Sequence, residues 1–405
     1  MRSSILVLIP LLAAVGSCSS DQGATTRDTG AATVESDSIP PSTPGPDTVD
    51  TTSSTNETSD TEQTETPEGG GVPTTGMPLS TDPEASARPP VINGPGRVVD
   101  AEHSDGGDTS PDDPGSDCSS VPRGLTEMVV DGGGVLHDVR IHVPERLESE
   151  PAPVVLDWHG LGSNGADQAA YSGYEDLAQL EGFIAVHPTG APGAPGGPNS
   201  WELAQFDTPG RDDLAFVDVL IDRLVDEWCG DPERIYSTGM SNGGFFTAEL
   251  VCNRADRIAA AVSVAGLGHP DSCAPSRPVP YLAFHGTDDD VVPFDGDGRS
   301  LLGSGEDDPL SVFFTQVIPE EFGEFAADAG CDPEPTRVEE TPEVIRFDYT
   351  GCVDGIPLSF YELPSSGHTW PGSPLAVVLG EGAGHHTSDV SATVDGWEFL
   401  EQFSL

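Results

Sequence analysis

Residues 235–252 read IYSTGMSNGGFFTAELVC, and the organisation of the rest of the chain can be inferred from them. The first four residues are typical of a buried strand, and residues 243–252 of a helix. Between them lies the motif G-x-S-x-G, centred on Ser241. A sharp turn from strand into helix lifts such a serine hydroxyl above the carboxyl edge of a sheet. The alternative is a glycine-rich turn with an incidental serine, but the position of the motif favours a nucleophile.

The segments on either side alternate between strand and helix patterns. We predict strands at 128–130, 135–143, 153–158, 183–187, 235–238, 258–264, 279–284, 344–349 and 358–363. We predict helices at 174–180, 214–228, 243–252, 312–327 and 391–403. A hairpin followed by such alternation predicts an α/β fold, with a mostly parallel sheet covered by helices on both faces.

A serine hydroxyl attacks a carbonyl only when a base removes its proton and an acid orients that base. In α/β folds with this turn the chain order is serine, acid, histidine. The strand at 279–284 is followed by HGTDDDVVP (285–293), where Asp288, Asp289 and Asp290 are chemically equivalent candidates for the acid. At least two of these three acids are expected to be surface residues.

His368 follows the strand at 358–363 and is the predicted base. His385 and His386, in a glycine-rich loop before the last helix, are the alternative bases. His285 precedes the acids in the chain, so we interpret it as a structural residue.

The oxyanion formed during attack needs two hydrogen-bond donors in place. One is expected to be the backbone N–H of Asn242, the residue after the nucleophile. The other is expected from the loop HGLG (159–162), where we choose the amide of Leu161. His159 is interpreted as a structural hydrogen-bonding residue.

Two tryptophans are candidates for the substrate pocket. Trp370 is close in sequence to the predicted base, and Trp201 lies in a long loop. The alternative for any tryptophan is core packing, and we expect this for Trp228 and Trp397 because both lie on helical faces.

The N-terminal residues 1–18 resemble an export signal. Arg2 precedes an apolar run that is too short to span a bilayer, and Val15-Gly16-Ser17-Cys18 is similar to a bacterial lipobox, in which Cys18 would carry lipid. The alternative is a conventionally cleaved, secreted protein. Residues 19–117 are rich in Thr, Ser, Pro and Asp and are expected to form a disordered linker, whereas 118–405 form the catalytic domain.

The chain has a formal net charge of −53, with 69 acidic residues and no lysine. A field of this sign repels nucleic acid and anionic lipid, so nucleic acid is excluded as a partner and membrane contact is expected only through an N-terminal lipid anchor.

The chain has seven cysteines, and six remain when Cys18 is set aside. An even number in an exported chain indicates disulfides. We prefer the pair Cys331–Cys352, which brackets one predicted strand and turn, and the other four cysteines allow three connectivities. Without C-x-x-C spacing or a histidine cluster, no zinc site is predicted.

Four motifs together resemble one family. These are HGLG (159–162), GMSNGG (239–244), HGTDDDVVP (285–293) and GHTWPG (367–372). They are similar to the polyhydroxybutyrate depolymerase-like esterases, which overlap with the feruloyl and acetylxylan esterases of carbohydrate esterase family 1. The resemblance covers about residues 120 to 405. It implies an α/β-hydrolase fold, Asp289 as the acid, catalysis through an acyl-enzyme, and no metal or cofactor. The loop VHPTG (186–190) differs from the Tyr-Pro-Asp-Gly that is more usual in the family.

The sequence therefore predicts an exported serine carboxylic ester hydrolase with the triad Ser241, His368 and Asp289. Its expected partners are ester substrates, either feruloyl or acetyl groups on polysaccharide or hydroxyalkanoate esters. Two alternatives stay open: a serine peptidase of the same fold, and a catalytically silent surface binding protein on a hydrolase scaffold.

Overall fold

The computed structural model describes residues 118–405, except 148, 194–195, 205–207, 301, 303–310 and 376–383. The predicted signal with Cys18 and the predicted linker 19–117 lie outside the described residues. Among the helices in the described part, none combines the length and apolar character needed to cross a bilayer.

The strands of the described residues form one ten-stranded sheet. They are β1 Gly124–Gly132, β2 Val135–Val143, β3 Ala152–Trp158, β4 Ile184–Pro188, β5 Gly230–Met240, β6 Ala260–Val264, β7 Tyr281–Gly286, β8 Thr336–Thr341, β9 Val344–Tyr349 and β10 Leu358–Leu363. Their order across the sheet is β1-β2-β4-β3-β5-β6-β7-β10-β9-β8.

The six central strands, β4, β3, β5, β6, β7 and β10, run parallel, and antiparallel hairpins flank them on both sides. The carboxyl ends of the parallel strands therefore meet at one edge. Because this sheet is buried on both faces, its central strands are mostly apolar, as in β6, where all five residues are buried and four are apolar.

Helices cover the two faces. They are α1 Gly165–Ser172, α2 Tyr174–Glu181, α3 Asp213–Trp228, α4 Asn242–Asn253, α5 Ser311–Phe314, α6 Ile318–Asp328 and α7 Val394–Leu400. One core contains residues of α3, α4, α5 and α6, and the other contains residues of α2 and α7. Alternate strand residues point to opposite cores, as Ile235 and Tyr236 of β5 do. The strand order and the strand–serine–helix turn make this an α/β-hydrolase fold, as predicted.

The structure departs from the prediction in several elements, among them the helix predicted at 312–327 and two elements that were not predicted, helix α1 and strand β8. The helix predicted at 312–327 is two helices, because Pro319 lies in the first turn of α6. Proline has no N–H and clashes with the preceding turn, so a continuous helix cannot pass through it. Strand β8 was not predicted, because its residues are almost all exposed and polar and carry no alternating apolar signal.

Three disulfides join the six cysteines of the described residues. They connect Cys118 to Cys229, Cys252 to Cys273, and Cys331 to Cys352. The third is the pair preferred from the sequence, and it closes the β8–β9 hairpin region. The first joins residues 111 apart and ties the segment before β1 to the end of α3.

Candidate active site

Ser241 occupies a strained turn between β5 and α4. Its φ of 56° and ψ of −121° lie where a non-glycine residue is rarely found, and such strain is typical of a nucleophile turn. Its N–H donates to the carbonyl of Val264 at 2.9 Å. A Cβ on Gly243 would lie 2.0 Å from the Trp158 carbonyl oxygen, so this position requires glycine. The turn is thus packed too closely to relax.

Asp289 is buried beyond the end of β7 and holds the imidazole of His368. Its Oδ1 accepts the N–H groups of Val291 and Val292, both at 2.8 Å, and its Oδ2 lies 2.8 Å from Nδ1 of His368. Burial alone would raise the pKa of the Asp289 carboxyl, but charge and hydrogen bonds from His368 and His285 outweigh burial and lower this pKa well below its usual range. The carboxylate therefore stays ionised.

The two neighbouring acids of the same segment are placed differently. Asp288 and Asp290 are both exposed, whereas Asp289 is buried and points to the histidine. The acid that the family resemblance indicated is thus the one that contacts the predicted base.

His285 contacts the same acid from the other side. Its Nε2 lies 2.9 Å from the Val292 carbonyl oxygen and 3.4 Å from Asp289 Oδ2. Both partners are acceptors, so Nε2 carries the proton and donates it. His285 is 1% exposed, and its Nε2 faces Val292 and Asp289.

His368 follows β10 and is held by the loop that contains the alternative bases. The Gly367 N–H donates to the His385 carbonyl at 2.8 Å, and the Gly372 N–H to the Thr387 carbonyl at 3.0 Å. His385 itself faces Glu343, with Nε2 3.6 Å from Oε2. Because Nδ1 of His368 faces a carboxylate and carries the proton, Nε2 is the nitrogen that is able to accept one.

The three segments that carry Ser241, Asp289 and His368 meet at the carboxyl edge of the sheet. They follow β5, β7 and β10, and only β6 separates β5 from β7. Hydrogen bonds connect successive strand ends from β5 to β10: the Ser241 N–H donates to the Val264 carbonyl of β6, the Ala265 N–H to the Phe284 carbonyl of β7 at 2.9 Å, and the Thr287 N–H to the Leu363 carbonyl of β10 at 3.1 Å. The strand order therefore places at one edge three segments that are far apart in the chain, and among their side chains those of His368 and Asp289 are hydrogen-bonded.

The loop after β3 approaches Ser241 closely. A Cβ built on Gly160 would lie only 3.3 Å from Cβ of Ser241. Nδ1 of His159 lies 2.7 Å from the Gly160 carbonyl, and its Nε2 accepts the Gly190 N–H at 2.9 Å. Burial lowers the pKa of His159 to about 4, so the ring is neutral at pH 7 and can act as donor and acceptor at once. His159 thus fixes the conformation of the loop that carries Leu161.

Asn242 and Trp201 are joined by two reciprocal hydrogen bonds. The Trp201 N–H donates to Asn242 Oδ1 at 2.6 Å, and Asn242 Nδ2 donates to the Trp201 carbonyl at 3.2 Å. The Trp201 indole N–H donates to the His159 carbonyl at 3.1 Å. Trp201 is therefore attached both to the nucleophile turn and to the loop after β3.

A cavity of about 210 Å³ opens beside Ser241. Leu161 and Asn242, the predicted oxyanion residues, lie in its wall together with Ser241. Most of the remaining lining is apolar, and it includes Trp201, Leu203, Phe245, Val292, Phe313 and Phe314. Trp201, a candidate pocket residue from the sequence, thus lies in this wall, and its contact with substrate stays a prediction.

The corresponding expectation for Trp370 is wrong. Its side chain is fully buried in the core on the α2 and α7 side, edge-on to Tyr174, and it is not among the described residues that line the cavity. Its indole N–H donates to the Thr393 hydroxyl at 2.9 Å. The chain turns after His368, so proximity in sequence does not bring this side chain to the cavity.

Arg211 also lines the cavity and was not identified from the sequence. Its guanidinium pairs with Asp213 and donates to the carbonyls of Ala191 and Ser200, while Asp213 accepts the Glu202 N–H at 2.8 Å. The buried pair thus fixes the backbone on both sides of Trp201. A single Arg-x-Asp has no distinctive spacing, so the sequence offered no signal for it.

His269, Cys273 and Asp328 lie close enough together to suggest a metal site. Cys273 is bonded to Cys252, however, and a disulfide sulfur cannot act as a thiolate ligand. These residues do not fit a metal centre.

No family model matches the chain. Feruloyl esterase B of Piromyces equi is 29% identical over 259 residues, which are 63% of this chain and 42% of that protein. A bifunctional acetylxylan esterase/xylanase of Neocallimastix patriciarum is 31% identical over 159 residues, 39% of this chain and 22% of that protein. Feruloyl esterase C of Emericella nidulans is 29% identical over 249 residues, 58% of this chain and 77% of that protein.

The chain thus matches less than half the length of the first two relatives. Among solved structures, acetyl xylan esterase from Aspergillus awamori aligns with a TM-score of 0.43 and 18% identity, covering 60% of this chain and 94% of that one. The predicted similarity to feruloyl and acetylxylan esterases is confirmed by the sequence relatives.

Proposed function

We propose that the chain is an exported serine carboxylic ester hydrolase. The observation that carries this proposal is the His368–Asp289 hydrogen bond of 2.8 Å at the sheet edge where the strained Ser241 turn lies. A neutral imidazole with Nδ1 held by a carboxylate has the tautomer that a general base needs.

In this mechanism the Ser241 Oγ attacks the ester carbonyl while His368 Nε2 takes its proton. The backbone N–H groups of Leu161 and Asn242 donate to the oxyanion, and His368 returns the proton to the departing alcohol. Water then attacks the acyl-enzyme, His368 takes the proton of this water, and the acid leaves as the Ser241 hydroxyl is restored.

The cavity favours an aromatic acyl group over acetyl. An apolar cavity of about 150 Å³ accommodates benzene, so one of about 210 Å³ accommodates an aromatic ring with a short substituent. Phe245, Phe313 and Trp201 supply apolar walls for such a ring. The substrate class we propose is therefore hydroxycinnamoyl esters, such as feruloyl groups on polysaccharide. Acetyl and hydroxyalkanoate esters are the comparison substrates.

The test uses the full chain, a fluorophosphonate probe, p-nitrophenyl acetate, methyl ferulate, acetylated xylan, hydroxybutyrate oligomers and a peptide amide. We expect labelling of one serine per chain and the highest kcat/KM with methyl ferulate. Ser241→Ala should lose labelling and about 10⁴-fold or more in kcat, whereas Ser272→Ala, at an exposed serine, should behave as wild type.

Three results would contradict the proposal. Unchanged ester hydrolysis by Ser241→Ala would show that Ser241 is not the nucleophile. Amide turnover without a preference for esters would indicate a peptidase. A folded wild-type chain that neither labels nor hydrolyses any ester would indicate a surface binding protein.

We further propose that the catalytic domain, residues 118–405, is exported and attached to the cell envelope through lipid on Cys18 and the linker 19–117. The three disulfides support an oxidising compartment. The wild-type chain should partition with detergent, and Cys18→Ala should be released in soluble form. Equal partitioning of the two would contradict the anchor.

A further inference from the structure

A buried carboxylate that the proposed mechanism does not use lies at the end of β3, next to the loop 159–162. We call this loop the oxyanion loop, and we call the loop after β10 that carries His368 the base loop. Asp157 belongs to β3, two residues before His159, and its side chain is fully buried. Its strand neighbours Leu156 and Trp158 point to the core on the cavity side, so Asp157 points to the opposite face. A buried charge is retained only when it is paired and hydrogen-bonded.

Asp157 has such partners on α1 and β4. Its Oδ1 accepts Nε2 of Gln168 at 2.8 Å, and its Oδ2 accepts the Ser172 hydroxyl at 2.6 Å. Nδ1 of His187 lies 3.1 Å from the same Oδ2. All three partners are themselves at most 3% exposed. The carboxylate therefore attaches α1 to the strand that leads into the oxyanion loop.

The other side of α1 is attached to the loop that carries the base. The Ser172 carbonyl accepts the Thr393 hydroxyl, and the same Thr393 oxygen accepts the Trp370 indole N–H at 2.9 Å. The Tyr171 hydroxyl accepts the Trp370 backbone N–H at 3.2 Å. Trp370 lies two residues after His368. A continuous series of buried hydrogen bonds thus runs from Asp157 through α1 to the base loop.

We propose that Asp157 is a positioning residue, which through Ser172 and Thr393 sets the position of the base loop relative to the oxyanion loop. This inference rests on the proposed function. Neither Asp157 nor Thr393 touches substrate in this mechanism, so the loss of either side chain should leave substrate binding almost unchanged. Misplacement of reacting groups by about 1 Å costs about 10²-fold in rate, and the effect should therefore fall on kcat.

The test breaks the series at two points. Asp157→Asn removes the charge and one acceptor, and Thr393→Val removes the hydroxyl with little change in shape. We expect each folded variant to lose at least about tenfold in kcat, with KM within about twofold of wild type and slower fluorophosphonate labelling. Thr393→Ser keeps the hydroxyl and should restore most of kcat.

Tyr236→Phe is the matched control. It removes one hydrogen bond, from the Tyr236 hydroxyl to the Phe403 carbonyl at 2.8 Å, on the same face of the sheet but away from both loops. It should leave kcat within about twofold of wild type.

Wild-type kcat in a folded Thr393→Val or Asp157→Asn variant would overturn the inference. So would a loss of kcat in Tyr236→Phe equal to that in the two variants. A Thr393→Ser variant that does not recover kcat would overturn it as well. If Asp157→Asn does not fold, the Thr393 variants decide alone. An inactive wild type, or an active Ser241→Ala, would instead reject the proposed function.

Discussion

His285 and His368 lie on the same carboxylate oxygen, Oδ2 of Asp289, at 3.4 Å and 2.8 Å. The other oxygen accepts two backbone N–H groups, so the carboxyl group is held from four directions. The Asp289 carboxylate is therefore fixed in its contact with His368, and the proposed role of Asp289 can be tested separately from those of its neighbours.

Asp289→Asn should lower kcat by about 10³- to 10⁴-fold, because an amide does not hold the imidazole in the tautomer that accepts a proton. Steady-state kinetics with methyl ferulate measures the change. Asp290→Asn is the matched control, since Asp290 is exposed in the same segment. Equal effects of the two variants would show that position 289 has no special role.

His285→Leu should lower kcat by roughly tenfold, because it removes the donor that fixes the Asp289 loop at Val292. His285→Gln retains an N–H at a similar distance along the side chain and should recover part of the loss. The comparison is made at equal folded fraction, measured by circular dichroism. If His285→Leu and His285→Gln lose kcat equally, the hydrogen bond from position 285 to Val292 does not determine the rate.

His159 should make stability fall on acidification. Its folded pKa of about 4 lies below the unfolded value of about 6.5, so the unfolded state binds the extra proton first as the pH decreases. The contribution of His159 to the free energy of unfolding is fully present above about pH 6.5. It should decrease by about 3 kcal/mol between pH 6.5 and pH 4. Urea unfolding at several pH values measures this slope.

His159→Gln is the control for that slope, since glutamine does not titrate. Burial also lowers the pKa of His137, so some slope should remain in the variant. The pKa of Asp289 is lowered as well, but its contribution is complete above about pH 3.9 and is lost only below it. An unchanged slope in His159→Gln would contradict the assignment.

The disulfides should contribute unequally to stability. Residues 111 apart are joined in Cys118–Cys229, and residues 21 apart in Cys331–Cys352. Loop-closure entropy assigns them roughly 5 and roughly 3 kcal/mol. Double cysteine-to-alanine variants, compared by urea unfolding, should show the larger loss for the first pair. A larger loss for the second would contradict this order.

Phe313→Trp should reduce the space in the cavity and select against large acyl groups. The ratio of kcat/KM for methyl ferulate to that for p-nitrophenyl acetate should fall by roughly 5- to 150-fold, because steric overpacking costs about 1–3 kcal/mol. Phe399→Trp, in α7, is the control away from the cavity. An unchanged ratio in Phe313→Trp would show that the acyl group does not occupy this cavity.

The features that were predictable from the sequence are those with a local signal. The nucleophile turn at Ser241 depends on glycines next to the serine, and the strands alternate with helices in a regular pattern. The choice of Asp289 over Asp288 and Asp290 needed the family resemblance. Asp289 differs from Asp288 and Asp290 in its burial and in the hydrogen bonds that it accepts from the N–H groups of Val291 and Val292. Both features exist only in the folded chain.

The features that were missed depend on contacts between distant segments. Arg211 and Asp157 are single charged residues whose partners are set by loop and helix packing. Trp370 was assigned to the pocket because of its sequence position, but the direction of a side chain after a turn is decided by tertiary packing. The pairing of Cys118 with Cys229 likewise joins segments that no local pattern connects.

The position of Cys118 has a mechanical consequence. A pull applied through residues 1–117 reaches Cys118 before it reaches the edge strand β1, and the disulfide transmits part of it to Cys229, immediately before β5. An edge strand loaded from its end would otherwise open one ladder hydrogen bond at a time. A covalent bond to the middle of the sheet instead spreads the load over the central strands, so the domain should resist a pull applied from its N-terminal side.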